Sequence, residues 1–377
     1  MKKVLIISME FPPQIGGIAT YVDQLARGLQ NASVLVLANP HKEAKDFDAS
    51  RGYRIIRKNI LSPRFTWPRW LFGCFRLFFL CRKEKIDLLM IHHMLPVGYM
   101  AWFVKKFMRI PYLVFSHGTD LGAALRHPWK KIMLQQVLRH SEQLIVNSES
   151  LRSRALQALP RLKEKTMVLY PGPEPYFFEQ SPEEERLSLK DTLALEGKKV
   201  ILSIGRLVEG KGFANMVSVL SEVVKKYPTL VWLVIGDGPK YDVLVQLVQK
   251  QHLQDIVRFI GEVPHADLRV YYQSSDIFML LTHPHDGFEE GIGLVFLEAA
   301  ASGLPVIAGD SGGVRDAVVH AKTGFVVQAA QHKNVADMLL GLLKDEMFAK
   351  RLGLAGRERV ASEFNWDHQL NRLSPWL

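Results

Sequence analysis

Short, unbroken apolar runs recur along this chain, each followed by a glycine- or proline-marked loop and then by apolar residues at helical spacing. In the first half these runs predict strands at residues 4–8, 34–38, 53–57, 87–92, 112–116, 143–147 and 166–170. In the second half they predict strands at 200–204, 231–236, 257–260, 277–281, 305–308 and 324–327. Continuous rather than alternating hydrophobicity points to parallel strands buried on both faces, hence an α/β class with two doubly wound, Rossmann-like units. The stretch 171–190, PGPEPYFFEQSPEEERLSLK, is rich in Pro and Glu and reads as the connection between them. The expected bounds are a first domain over 1–178, a linker over 179–190 and a second domain over 191–360, with a largely helical close from about 345 to 377. Ligands of open α/β sheets bind beyond the carboxyl ends of the strands, so the cleft between two such domains is the expected site.

Composition narrows the class. With 377 residues the chain is long enough for two domains, and 48% hydrophobic content supports two sizeable cores. Cys74 and Cys81 lie seven apart in an apolar run and are expected to pack rather than bond, which fits a reducing compartment. The opening MKKVLIIS has too short an apolar run for a signal peptide and reads as the first strand. No window of 18 uncharged apolar residues suggests a spanning helix. Charge is uneven: residues 1–190 carry 29 basic against 16 acidic side chains, net +13, whereas 191–377 carry 19 against 22, net −3. A basic half favours an anionic lipid surface or a polyanionic acceptor; no nucleic-acid motif accompanies it.

The densest chemistry lies at EEGIGLVFLE, residues 289–298, continued by AAASGLPVIAGDSGG to Gly313. A glycine loop opening a helix presents unpaired N–H groups and the positive dipole end to a phosphate or polar sugar. Glu290 stands at the mouth of that loop and Glu298 inside the helix. An all-helical span of eight residues covers about 12 Å, wider than the roughly 5–9.5 Å of a glycosidase carboxylate pair. The two acids are therefore expected to grip different parts of one long ligand. Gly16 and Gly17 open an early helix in the same manner, and His117 follows a strand in SHGTD, with Asp120 close by. Arg206 and Lys211 share a glycine loop, where two cations can meet one pyrophosphate. IGDGPKY (235–241) lacks the third glycine of a dinucleotide fingerprint, and neither HHM (92–94) nor HPH (283–285) has zinc-site spacing, so no metal and no resident cofactor are expected.

Together, Gly16–Gly17, His117–Gly118, GRLVEGKG from Gly205 and EEGIGLVFLEAAASGLPVIAGDSGG resemble the retaining glycosyltransferases of family 4, which have the GT-B fold. The resemblance covers nearly the whole chain, and FPPQIGGI with GLVFLEAAASGLPVIAGDSGGVRDAV is most similar to the phosphatidylinositol mannosyltransferase branch, which uses GDP-mannose. It implies a nucleotide-diphosphate sugar as donor substrate, GDP-mannose or a UDP-sugar. It further implies that Glu290 contacts the transferred sugar, Glu298 holds the ribose, and Gly291, Ile292, Gly293 and Leu294 supply backbone donors. Gly16 and Gly17 would close over the donor, His117 would touch its sugar or phosphate, Arg206 and Lys211 would hold the pyrophosphate, and the backbone at Val263 would read the base. The last helix, 361–377, would cross back to the first domain. Glu10 stands where relatives carry Asp, a departure in the early loop. For this family a front-face reaction without a protein nucleophile or metal is implied.

The acceptor side is read from RFTWPRWLFGCFRLFFLCRKEK (64–85) and WFVKKFMR (102–109), where cations interleave with Trp and Phe. Such segments suit an anionic membrane surface, or alternatively pack on the sheet beneath. The expected partners are thus a nucleotide sugar, a lipid-linked or glycan acceptor and the inner face of the cytoplasmic membrane, in bacterial cell-envelope glycan synthesis. A sugar-nucleotide epimerase would need an acid/base set around the sugar ring that is not found. A non-catalytic binding subunit would be expected to lack one of Arg206, Lys211, Glu290 or Glu298, all of which are present.

Overall fold

The computed structural model describes residues 1–377 apart from Arg64 and Phe288. The chain divides into two compact units, Met1–Pro171 with Trp366–Leu377, and Gly172–Asn365.

The first unit is built on seven strands: β1 (Lys2–Ser8), β2 (Ala32–Ala38), β3 (Arg54–Arg57), β4 (Leu88–Ile91), β5 (Tyr112–Ser116), β6 (Gln143–Val146) and β7 (Thr166–Val168). All pair in parallel, in the order β3-β2-β1-β4-β5-β6-β7. Unbroken apolar runs are what such strands require, because helices cover both faces. On one face Leu5, Ile7, Leu35, Leu89 and Ile91 pack with Leu77, Val104 and Leu134 from helices Leu71–Glu84, Val97–Met108 and Pro128–His140. On the other, Val4, Ile6, Val36, Met90 and Phe115 pack with Tyr21, Val22 and Leu25 of helix Gly17–Gly28. That second face is completed by the helix Trp366–Asn371. Trp366 Nε1 donates to Gln24 Oε1 at 2.5 Å, Gln369 accepts from the Tyr170 N–H at 3.1 Å, and Leu370 and Leu373 join the core.

The second unit carries β8 (Lys199–Ile204), β9 (Leu230–Ile235), β10 (Val257–Gly261), β11 (Ile277–Leu280), β12 (Val306–Gly309) and β13 (Gly324–Val327). They form a parallel sheet in the order β10-β9-β8-β11-β12-β13. Its centre buries Trp232 completely, and the indole N–H is satisfied by Ser203 Oγ at 2.9 Å.

Both units are therefore doubly wound α/β sheets of the expected class. The strand order reverses between β1 and β4 in the first unit and between β8 and β11 in the second. Loops leaving those strands at their carboxyl ends diverge to opposite faces and leave a crevice. Residues 9–16, 92–95, 205–212, 281–287 and 289–293 occupy these positions.

The segment expected as a linker is folded. The divide falls at Pro171, and the stretch 179–190 lies inside the second unit, where Glu183–Thr192 is a helix. Three glutamates in its first turn favour the positive helix end, behind Pro182. Gln273 fastens the stretch by accepting from the Ser181 N–H at 2.7 Å and donating to the Glu179 carbonyl at 2.5 Å.

Candidate active site

Glycines let the loops of the second unit approach one another backbone to backbone. A Cβ on Gly212 (φ +78°) would sit 1.8 Å from the Leu281 carbonyl oxygen, and one on Gly236 would sit 2.2 Å from that of Gly205. The loops after β8, β9 and β11 are thus pressed together in a way only glycine permits. The His283 N–H donates to the Gly210 carbonyl at 2.8 Å and ties the first of these loops to the third.

On this floor Lys211 and Glu290, 79 residues apart in sequence, meet as an ion pair with Nζ 2.5 Å from Oε2. Both are largely withdrawn from water, their side chains 27% and 16% exposed, which strengthens the pairing relative to a surface contact. The Glu290 backbone is fixed at both ends: its N–H donates to Ser311 Oγ at 3.2 Å, and its carbonyl accepts from the Gly313 N–H at 3.0 Å. Gly291 follows, then the buried Ile292 and Gly293, whose φ of +81° caps the helix Leu294–Ala301. Leu294 opens that helix half-buried. Arg206 leaves β8 in the same loop as Lys211 and is exposed.

Glu298 lies on the same helix and is 3% exposed. One carboxylate oxygen faces His265 Nε2 at 2.8 Å, and the other accepts from the Tyr272 hydroxyl at 2.9 Å. His265 Nδ1 in turn lies 2.8 Å from the Tyr176 hydroxyl. With Tyr176 donating to Nδ1, Nε2 carries the proton toward Glu298 and the chain of bonds is satisfied throughout. Burial, reinforced by the Glu298 charge, holds the Tyr272 phenol well above its usual pKa, so it remains a donor. Each Glu298 oxygen keeps accepting capacity for a ligand hydroxyl. Val263 lies partly buried in the loop between β10 and the His265–Asp267 turn. His265, Tyr272 and Tyr176 were not singled out in the sequence. The only signal that could have found His265 is its place in PHADL, just after a strand, and nothing in a linear pattern pairs it with a carboxylate 33 residues on.

The first unit arranges its candidates differently. Gly16 caps the helix Gly17–Gly28, and the space where its side chain would stand is open. His117 follows β5, with Nε2 3.2 Å from Nδ1 of the fully buried His92. The Tyr21 ring stands edge-on to His117, and His92 stacks on Phe115. Burial pushes the His117 imidazole down to about 4, opposed in part by the Asp120 carboxylate. Asp120 is held by the Ser116 hydroxyl at 2.7 Å and by the Met94 N–H at 3.2 Å. Glu10 lies 3.6 Å from His93 Nε2, so the departure in the early loop places a carboxylate beside the histidine pair that follows β4. The rings of His92 and His117 are neutral near pH 7 rather than fixed cations, and His117 alone of the two is partly exposed.

Among the described residues no group of three or more His, Cys, Asp or Glu side chains is placed to hold a metal ion. No described helix is long and apolar enough to cross a membrane. Cys74 and Cys81 are free and buried, with thiols raised to about 11 and about 12 by burial.

Comparison with known proteins agrees with this fold. Residues 185–359 match the family model described as glycosyl transferases group 1, and residues 15–175 match that of glycosyltransferase family 4. Among similar proteins is the GDP-mannose-dependent alpha-(1-6)-phosphatidylinositol monomannoside mannosyltransferase of Mycobacterium tuberculosis. It is 29% identical, over 100% of this chain and 98% of that protein. The GDP-mannose-dependent monoacylated alpha-(1-6)-phosphatidylinositol monomannoside mannosyltransferase of Corynebacterium glutamicum is 27% identical over 99% of this chain and 97% of that protein. Among solved structures, Anabaena HepE in complex with UDP and glucose shares the fold with a TM-score of 0.84 at 19% identity, covering 100% of this chain and 99% of that one.

Proposed function

We propose that this chain, a hexosyltransferase that belongs to the family 4 glycosyltransferases, transfers mannose from GDP-mannose to a lipid-linked or glycan acceptor with retention at the anomeric carbon. The observation that carries the reading is the Lys211–Glu290 pair, set at the mouth of the helix Leu294–Ala301 on a floor of glycine-packed loops. The choice of GDP-mannose is supported by full-length similarity to mannosyltransferases that depend on it.

In this reading the guanosine diphosphate lies along the loops of the second unit. Glu298 accepts from the ribose hydroxyls, its carboxylate aimed by His265 and Tyr272. The backbone of Val263 meets the base. Arg206 and Lys211 face the pyrophosphate, and the N–H groups from Gly291 to Leu294 add donors at a helix start. Glu290 positions the hexose. Gly16, Gly17 and His117 also contact the donor. As the bond between the anomeric carbon and the β-phosphate oxygen breaks, negative charge grows on the diphosphate, where the fixed cations stabilise it. The acceptor hydroxyl attacks from the face the diphosphate leaves, and its proton passes to a leaving phosphate oxygen. The chain's own residues thus orient the sugar and stabilise charge, with no protein nucleophile and no metal.

A lipid-linked acceptor places the reaction at a membrane surface in envelope glycan synthesis. The basic first unit and its exposed aromatic side chains support that placement. The test is donor binding and slow hydrolysis across GDP-, UDP- and ADP-sugars, comparing wild type with Glu298→Ala. Release of GDP from GDP-mannose, with binding weakened in the variant, is expected. Preference for a UDP-sugar would overturn the donor assignment, and binding of no nucleotide sugar would overturn the reading altogether.

A further inference from the structure

The basic-aromatic segment does two things at once. Arg64, its first residue, lies outside the described residues. The helix Leu71–Glu84 buries Gly73, Cys74, Leu77 and Cys81 against the first sheet, and exposes Phe72, Phe75 and Phe79 along one stripe. Trp67, at 92% exposure, continues that apolar surface beyond the helix start. Between this helix and the edge of the sheet at β3 lies a cavity of about 440 Å³, open to solvent. Its walls are mainly aliphatic, with Ile7, Leu37, Ile56, Ile60, Leu77 and Leu80 among them.

Four cations stand round this opening: Arg54 and Lys58 on the strand side, Arg76 and Lys83 on the helix. Arg76 is anchored to the Asn59 carbonyl at 3.2 Å and Ser62 Oγ at 2.7 Å, bridging helix and strand side. The one carboxylate present, Glu84, already pairs with Lys3 and Arg54. Lys58 and Lys83 are exposed and make no ion pair among the described residues. An apolar slot of this volume is large enough for a small ligand. A rim with surplus positive charge selects an amphiphile whose polar end is anionic.

We propose that this cavity takes one acyl chain of an anionic phospholipid, with the lipid phosphate held between Lys58 and Lys83. The inference deepens the membrane reading above and rests on it for the source of the lipid. The exposed Phe72 and Phe75 rest in the interfacial layer while one chain enters the slot beside them, so attachment has a saturable component as well as an adsorptive one.

Monomeric 1-myristoyl-lysophosphatidylglycerol, offered below its micelle concentration to the whole protein, tests this by native mass spectrometry and calorimetry. One lipid per chain is expected, with affinity falling about fourfold for each methylene removed from the tail. Leu80→Trp, which fills the slot, should weaken binding at least tenfold, as should Lys58→Glu with Lys83→Glu, a pair of surface changes that leaves the core intact. The choline headgroup should bind about tenfold more weakly. Phe72→Ser with Phe75→Ser should lower binding to phosphatidylglycerol vesicles while leaving the lysolipid untouched. Unchanged lysolipid binding in Leu80→Trp or in the double lysine variant would overturn the proposal, as would equal affinity for both headgroups. GDP-mannose binding to the same wild-type sample reads the donor assignment separately: lysolipid binding absent with donor binding intact sinks only the acyl site.

Discussion

The two units use the same sheet architecture to hold different kinds of site. In the second, the carboxylates are anchored: Glu290 by Lys211, Glu298 by His265 and Tyr272, over loops in backbone contact. In the first, the central polar groups are buried neutral histidines against aromatic rings, and Gly16 stands with open space around it. One site is organised around paired charges, the other around neutral imidazoles with the Asp120 and Glu10 carboxylates beside them. In the proposed transfer a pyrophosphate departs with full charge, and fixed charge stabilises such a leaving group.

The contrast breaks most visibly at the ion pair. Lys211→Met or Glu290→Gln should each lower turnover about 100- to 1,000-fold, the scale for removing a preorganised charged group. Steady-state GDP release with and without acceptor measures this, and a loss below about tenfold would show that fixed charge is not what the second site contributes. Next comes Gly212→Ala, which drives a Cβ into the Leu281 carbonyl at positive φ. It should cost about 3 kcal/mol in urea unfolding through backbone strain and overpacking.

His265→Ala leaves Glu298 with Tyr272 alone. Nucleotide binding should weaken about tenfold, the value of one hydrogen bond to a charged group, with kcat changed less than KM. Equal loss in both parameters would instead mean that His265 acts on the transition state.

Acid should act mainly on the first unit. His92 and His117 have folded-state pKa values below the ordinary 6.5, through burial in both cases, with His93 adding repulsion and Asp120 and Glu10 opposing it at His117. Between about 6.5 and 4 the unfolded chain binds more protons than the folded one, so stability present above that window is lost as pH falls through it. Urea midpoints at pH 7, 5.5 and 4.5 should fall in order, and His117→Gln should flatten the trend. The smallest effect is the counterpart of Gly212: Gly16→Ala, with room for the methyl and an extended backbone, should shift stability by less than about 0.5 kcal/mol. Any loss of turnover in that variant then reports approach of the donor to the loop.

Strands were legible because burial on both faces leaves a continuous apolar run, the strongest local signal a parallel sheet has. At β4 the expected span of 87–92 exceeds Leu88–Ile91, yet the Asp87 N–H donates to Lys3 and the His92 N–H to Ile7, so pairing continues past the formal ends. The Pro/Glu-rich stretch misled because its composition suits both a linker and the exposed helix Glu183–Thr192, which buries none of its residues. At the site, motif residues such as Glu290 and Glu298 could be named. Their partners could not, because Lys211 reaches Glu290 across 79 residues and His265 reaches Glu298 from a different loop. Loop meetings at the ends of non-consecutive strands follow from strand order, which hydropathy does not encode.

The helix Trp366–Asn371 carries a consequence for biosynthesis. The first unit's strands and helices emerge from the ribosome early, but Leu370, Leu373 and Trp366, which close one face of its core, are made roughly 190 residues later. At about 5–20 residues per second that is a delay of some 10–40 s. Throughout it Tyr21 and Leu25 lack their final cover. The half of the enzyme translated first is finished last, and a nascent chain stalled before Trp366 presents chaperones with an apolar notch that the completed protein has sealed.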